Sequence, residues 1–367
     1  MTLPTALHNR LNTMSAWNVS AQNRPVWRCL QSWLPLLLLC GLLVPSAAGQ
    51  DFGAGAFARM GFGARGIAMG NALIADPSGN VSAYYNPALA PTATGQRVAA
   101  SAAILSFDRE LQFLEFTTPL GPTAGLGVGL IHAGVGDIDG RDANGVHTET
   151  LSTDEFNIFL AFGNRFAERL AVGAALKLYQ ADYGDVVDQP LSFALDLGAH
   201  VTLTERLHVG ASVHDLLAKY EWNASTPNGR SVTDEFPMRV RIGASYALLD
   251  ERLRLVGEYE SRLTEREERV RVPVTTTTGP RTRLETNALL LHNGRLRLGA
   301  AYQLIDILEV RGGVDRIGVG DAEGLRPSAG FGLEQTVGTL DLTLSYAVVL
   351  EPNTRDAMNL FTLALFL

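Results

Sequence analysis

Asn359-Leu360-Phe361-Thr362-Leu363-Ala364-Leu365-Phe366-Leu367 closes the chain. Phe361, Leu363, Leu365 and Leu367 fall on one face of a strand, and Thr362 and Ala364 fall on the other. In water an open sheet edge of this kind invites pairing with another chain. In lipid the same strand is stable if it seals a barrel, because closure leaves no edge and the apolar face meets hydrocarbon. The stretch therefore points to a membrane β-barrel.

The opposite end carries the signs of export. Arg24 and Arg28 precede an apolar run, Leu34 to Val44, which is of signal-peptide length and too short for a bilayer anchor. Ser46, Ala47 and Ala48 supply small residues for cleavage, so the mature chain is expected to begin near Gly49 or Gln50, with Met1 or Met14 as the start. Cys29 and Cys40 both lie in this segment, so disulfides are not expected to hold the mature chain. Cys40 sits inside the apolar run, which disfavours lipidation. The net charge of −8 argues against a nucleic-acid partner. No later stretch is apolar for the roughly 20 residues of a membrane helix. The expected division is a signal peptide at 1–49, a separate segment at 50–96 and a barrel at 97–367.

Period-two alternation supports the barrel. From Leu191 to Leu203 the odd positions are Leu, Phe, Leu, Leu, Ala, Val and Leu, and the even ones are small or polar. Leu170 to Tyr179, Arg295 to Gln303 and Leu340 to Val348 repeat the pattern. Soluble sandwich strands are usually nearer five or six residues. Turn signals predict about fourteen strands, starting near Arg97, Glu110, Thr123, Leu151, Arg169, Pro190, Arg206, Phe236, Arg252, Arg295, Asp306, Pro327, Thr339 and Ala357. Short and long connections alternate, as periplasmic turns and outer loops do. Thr282 to His292 also reads as a strand; counting it separately breaks the even number, so it is assigned to the outer loop Arg262 to Gly294.

Residues 51–96 do not read as barrel wall. Gly61, Gly63 and Gly66 match G-x-G-x-x-G in spacing, but no strand precedes them and no βαβ unit follows, which argues against a dinucleotide site. Their glycines suit close packing inside a lumen. The pattern of Gly63, Arg65, Met69, Gly70 and Ala72, followed by Asn86-Pro87-Ala88, resembles the start of the PorV/PorQ family of FadL-related outer-membrane barrels. Pro119 to Gly121, Arg169 to Tyr179, Leu195 to Gly198, Lys219 to Trp222 and Phe236 to Tyr246 are similar to it as well. The resemblance implies an all-β, fourteen-strand transmembrane barrel with the N-terminal segment as an inner hatch. It implies either assistance to type IX protein secretion and surface attachment, by binding exported proteins, or passage of hydrophobic small molecules. One departure is the end, where Phe366 is penultimate although barrel-insertion signals usually finish on an aromatic residue.

Lys177, Asp196, His200, Arg239, Arg241, Arg254, Glu258, Arg295, Arg297, Glu309 and Arg311 fall on expected lumen-facing positions. They form either a charged pathway or a docking surface for the hatch, with Arg65 as partner; the ordinary alternative is cross-strand pairing in a polar interior. Gly136 to Gly145 has carboxylates near calcium-loop spacing without the register or closing Glu, and reads as a polar loop. Ser212, His214 and Asp215 are close in sequence, but a triad needs spatial geometry, and they read as lumen polar residues. Trp222 is the candidate for outer-surface recognition, or else an interfacial anchor. The expectation is a non-enzyme without cofactor or metal, whose partners are outer-membrane lipid and secreted proteins or hydrophobic solutes.

Overall fold

The structure, a computed structural model, describes residues 54–78, 83–184, 187–223, 231–276, 279–318, 324–338, 340–351 and 356–367, with backbone alone over 266–276 and 279–289. The expected signal peptide and residues 50–53 lie outside the described residues.

The strands are β1 (Arg97–Ile104), β2 (Arg109–Leu120), β3 (Ala124–Arg141), β4 (His147–Ala167), β5 (Leu170–Asp182), β6 (Leu191–Thr202), β7 (Leu207–Leu216), β8 (Lys219–Trp222), β9 (Val232–Glu235), β10 (Met238–Leu248), β11 (Leu253–Thr276), β12 (Gly279–Ile305), β13 (Leu308–Ile317), β14 (Arg326–Val337), β15 (Leu340–Leu350) and β16 (Ala357–Phe366). Fourteen of them close an antiparallel barrel, while β8 and β9 form a separate hairpin between β7 and β10. The C-terminal strand makes the seal: β16 pairs β15 on one side and β1 on the other, Arg97 facing Phe366 and Ile104 facing Asn359. Phe361 and Leu363 point outward and are about half exposed, whereas Leu360, Thr362 and Ala364 are buried inside. Leu176, Phe193, Leu197, Ile242 and Leu298 are likewise exposed on the outer face, where lipid solvates them.

Three loops differ from expectation; in the first, Gly136 to Gly145, β3 continues to Arg141 and pairs β4 as far as His147. β12 begins at Gly279, not Arg295, and its ladder with β11 runs unbroken from Leu253↔Tyr302 to Thr276↔Gly279. Thr282 to His292 thus lengthens an existing strand and leaves the even count intact. The reason is that an antiparallel ribbon satisfies its own backbone hydrogen bonds beyond the membrane. The ribbon outlasts its neighbours, since β10 reaches only Leu263 and β13 only Leu296. Lys219 to Trp222, expected in a loop, is strand β8, paired to β9 from Lys219↔Glu235 to Trp222↔Val232.

Residues of the N-terminal segment contact the inner wall through wall glycines. Gly163, Gly173 and Gly198 face one another across β4, β5 and β6. A Cβ at Gly173 would lie 2.4 Å from the Pro87 carbonyl carbon, and one at Gly198 would lie 2.0 Å from Asn86 Oδ1. On the far wall, Gly299 and Gly313 are paired, and Cβ atoms there would meet the Met69 carbonyl oxygen and the Gly70 nitrogen, each at 2.3 Å. The segment's backbone rests where the wall has no side chains.

Gly299→Val is expected to lower stability by about 1–3 kcal/mol through overpacking, read as a lower temperature for the gel-mobility shift of the detergent-extracted barrel. Gly312→Ala, where the nearest atom to a new Cβ is 3.9 Å away, is expected to leave that temperature unchanged.

Candidate functional site

The candidate site is the polar interface between the N-terminal segment and the lumen wall. Helix α1 (Gly63–Ala68) starts at Gly63, whose φ of 69° suits glycine, and ends at Met69. The Ala64 N–H donates to Thr362 Oγ1 at 2.9 Å, which ties the helix to β16. Gly70, with φ 63°, turns the chain back against β12 and β13. Arg65 on the helix pairs with Asp76 at 3.2 Å and with Glu309 on β13. Glu309 also accepts from Arg311, whose Nη1 donates to Ser345 Oγ at 3.1 Å. Arg254 reaches the other oxygen of Asp76 at 3.5 Å.

Asn86 performs two jobs. Its Oδ1 accepts from the Ala88 N–H at 3.0 Å, capping the 3₁₀ turn Pro87–Thr92, which has Pro87 at its start. Its Nδ2 donates to the carbonyls of Ile74 and Ala199 at 2.9 and 3.1 Å, joining two parts of the segment to β6. Tyr85 accepts from the Phe62 N–H at 2.9 Å, and its hydroxyl lies 2.9 Å from Asn71 Oδ1. Burial raises its pKa, so it remains a neutral donor.

Two carboxylate clusters extend along the wall. Asp215 accepts two bonds from Arg239, at 2.9 and 2.6 Å, one from Lys177 Nζ at 3.0 Å and one from the Tyr179 hydroxyl at 2.8 Å. Lys177 also pairs with Asp196 at 2.6 Å. Glu258 binds Arg241 and Arg297, each at 2.6 Å. Glu260 lies 2.6 Å from Arg262 and 2.9 Å from Arg297, while Arg297 Nε donates to Asp315 at 2.8 Å. Arg241 continues from the wall to the segment, donating to the Asn71 carbonyl at 3.1 Å. These groups are almost wholly buried. A buried charge is tolerable only when paired and hydrogen-bonded, so each partner fixes the others.

Of the expected lumen residues, Lys177, Asp196, Arg239, Arg241, Glu258 and Arg297 lie in these clusters, Glu309 and Arg311 lie beside Arg65, Arg254 lies beside Asp76, and Arg295 Nε is 3.7 Å from Glu260. His200 stands apart, stacked on His208 with ring centroids 5.4 Å apart. Glu260, Arg262 and Asp315 were missed, although Glu260 and Arg262 continue the Glu258 face at period two. Asp215, read with Ser212 and His214 as a lumen polar residue, is buried in the first of these clusters, although strict alternation places His214 and Asp215 on opposite faces. A register shift between Leu195 and Leu197 and a φ of 60° at Asp215 turn both inward. His214 Nδ1 is 2.6 Å from Asp196 Oδ2, and its Nε2 is 2.6 Å from Ser212 Oγ. The carboxylate beside His214 is thus Asp196 of β6 and not its sequence neighbour. All three side chains are buried.

Toward the long loops, aromatic rings form a chain. Trp222 stacks on Tyr183 at 5.0 Å and meets Tyr220 edge-on at 5.4 Å; Tyr220 meets Phe236 at 4.9 Å, and Phe236 meets Tyr179 at 4.6 Å. The Tyr183 hydroxyl donates to Glu155 at 2.8 Å, and burial together with this carboxylate raises its pKa. Trp222 is therefore half-buried at the long-loop end of the barrel and packed against the core. Gly136 to Gly145, read from sequence as a polar loop, is instead the end of β3 as far as Arg141 and a turn beyond it, where Asp142 Oδ1 accepts from the N–H groups of Val146 and Asn144, which holds its pKa low. Asp139 is bonded to Arg141 and His147. Among the described residues, no three His, Cys, Asp or Glu side chains are placed to hold a metal.

Asp215→Ala is expected to cost about 3–5 kcal/mol, since it leaves Arg239 and Lys177 buried and short of a partner. A urea titration of the folded band checks this, with Asp139→Ala at the exposed end of β3 expected to change stability by less than about 1 kcal/mol.

The fold is similar to that of solved transporters and of a FadL homologue. The toluene transporter TodX of Pseudomonas putida is 13% identical, with 83% of this chain and 97% of that chain covered and a TM-score of 0.55. The toluene transporter TbuX of Ralstonia pickettii is 14% identical over 83% and 97%, with a TM-score of 0.52. A FadL homologue of Pseudomonas aeruginosa is 12% identical over 83% and 97%, with a TM-score of 0.53. At such identities the likeness is one of fold. No curated protein sequence matches the chain. A family model described as type IX secretion system membrane protein PorP/SprF matches residues 80–363. That match names a type IX secretion family, though not PorV/PorQ, and the motif at Gly63 to Ala72 lies outside it. The closed barrel, its greasy outer face and this match over most of the chain together place the protein in the PorP/SprF family of type IX secretion system membrane proteins.

Proposed function

We propose that the protein is an outer-membrane barrel whose N-terminal segment acts as a hatch, and that it assists type IX secretion by binding exported proteins, as members of the PorV/PorQ type do. The observation that carries this reading is the ion-paired lock between segment and wall. Arg65 holds Asp76 and Glu309, and Arg241 holds Glu258 and the Asn71 carbonyl. A hydrophobic solute crossing mid-lumen has to separate buried charges, each worth several kcal/mol when unpaired. The cavity beside α1, lined by Phe62, Arg65, Glu115 and Thr362 among others, measures about 40 Å³, room for only a few waters. Membership of a type IX secretion family supports the same reading. In it, Trp222 and Tyr183 at the outer mouth are the candidate contacts for an exported protein, because aromatic residues are favoured at protein interfaces.

A rival reading, uptake of hydrophobic small molecules, draws on one feature. Phe62, Tyr84, Phe113 and Phe159 pack together in the lumen, with ring centroids 4.8 to 6.1 Å apart, and two of the structural neighbours are toluene transporters.

Deletion of the gene is expected to remove a subset of proteins from the cell surface, measured by surface proteomics, and Trp222→Ala to weaken their co-purification. Protein-containing liposomes are expected to take up a lipophilic fluorescent probe no faster than empty ones. Faster uptake with an unchanged surface proteome would establish the rival.

A further inference from the structure

At the short-turn end of the barrel a groove of about 420 Å³ lies between the N-terminal segment and the wall. Pro77 and Pro91 of the segment line it, together with Pro119 and Pro122 at the β2–β3 turn. Proline fixes its φ and has no N–H, so these walls are stiff and offer few donors. Arg165 and Arg169 of the β4–β5 turn bring cationic groups, with Glu168 beside them. Both arginines are exposed, and among the described residues neither guanidinium takes part in an ion pair. His200, 5% exposed, also lines the groove, and among the described residues its Nε2 has no hydrogen-bond partner. Arg239, Arg241, Arg297 and Arg311 of the lumen are engaged by carboxylates; these two are not. In a barrel of this kind the short turns face the periplasm.

We propose that this groove docks an acidic, extended segment of a periplasmic polypeptide. Its carboxylates engage Arg165 and Arg169, whose planar guanidinium groups match carboxylate geometry, and its backbone lies along the proline walls. The volume falls in the range of ligand-sized pockets, about 300–1,000 Å³, which suits a few residues of chain and not a folded domain. Since His200 faces the lumen, the groove lies inside the barrel rim, away from the lipid-facing surface; this favours a peptide over an anionic lipid headgroup. The inference rests on the secretion reading, and it names the side of the membrane from which a partner would approach.

The test uses the full chain in detergent and a fluorescein-labelled peptide of alternating proline and glutamate, followed by anisotropy. The glutamate peptide is expected to bind. Its glutamine counterpart is expected to bind at least tenfold more weakly, as is the glutamate peptide to R165E/R169E, a double variant whose folding is verified by its heat-shifted band. R252E, in a short turn outside the groove, is expected to bind as the parent does. Absence of binding, equal binding of the two peptides, or undiminished binding by the double variant would each overturn the proposal. So would displacement of the peptide by anionic phospholipid vesicles but not by neutral ones, which would assign the groove to lipid. Groove-dependent peptide binding beside an unchanged surface proteome would instead count against the secretion reading alone.

Discussion

Backbone hydrogen bonding in lipid is the constraint on which this structure depends. No water is available in the hydrocarbon core, so each strand must find two neighbours, and the last strand must find the first. The pairing of β16 with β1 meets that demand. Once the sheet is closed, alternation sends every second side chain into a confined lumen. The chemistry of that interior follows from closure, because charges directed there lose bulk water and must find one another.

The lumen solves this with shared carboxylates. Asp215, Glu258 and Glu260 each serve more than one cation. Several of the cations, Arg239, Arg241 and Arg297, serve more than one carboxylate. Such a network is strongly coupled, so the loss of one member exposes the desolvation cost of the rest. The same network reaches the N-terminal segment through Arg65 and Arg241. Segment and wall are therefore held by charge at some points and by backbone-on-glycine contact at others. The second device is geometric: without Cβ atoms at Gly173, Gly198, Gly299 and Gly313, the segment's carbonyls come within van der Waals reach of the wall.

Much of the fold was legible in the residues. The alternation of Leu191 to Leu203 places Ser192, Asp196 and His200 inside and Phe193 and Leu197 outside, as observed. The fourteen barrel strands begin close to where turn signals put them, except β12. That exception has a physical cause. Strand-like sequence and polar loop sequence look alike once a hairpin leaves the membrane, because no lipid imposes an apolar outer face. The inner site was only half legible. Glu260 and Arg262 share the face of Glu258 and were available to the same period-two reading. Asp215 reads as a lumen polar residue, but its pairing with Arg239 and Lys177 was not available to that reading, since a register shift and a left-handed φ turn it inward beside His214.

By itself, the sequence determined that this is a membrane barrel of about fourteen strands, because the period of its apolar residues and the lengths of its turns are local properties. It also determined which face of the regularly alternating strands, such as β6, would carry charge. Tertiary structure decided which charges meet: Asp196 is beside His214, Glu309 beside Arg65, and Arg297 between Glu258, Glu260 and Asp315. Those pairings depend on register between strands distant in the chain and on where the N-terminal segment rests. The wall glycines show the same limit, since a glycine in a strand signals a close approach without naming the backbone that approaches. That partner is set by closure of the whole barrel.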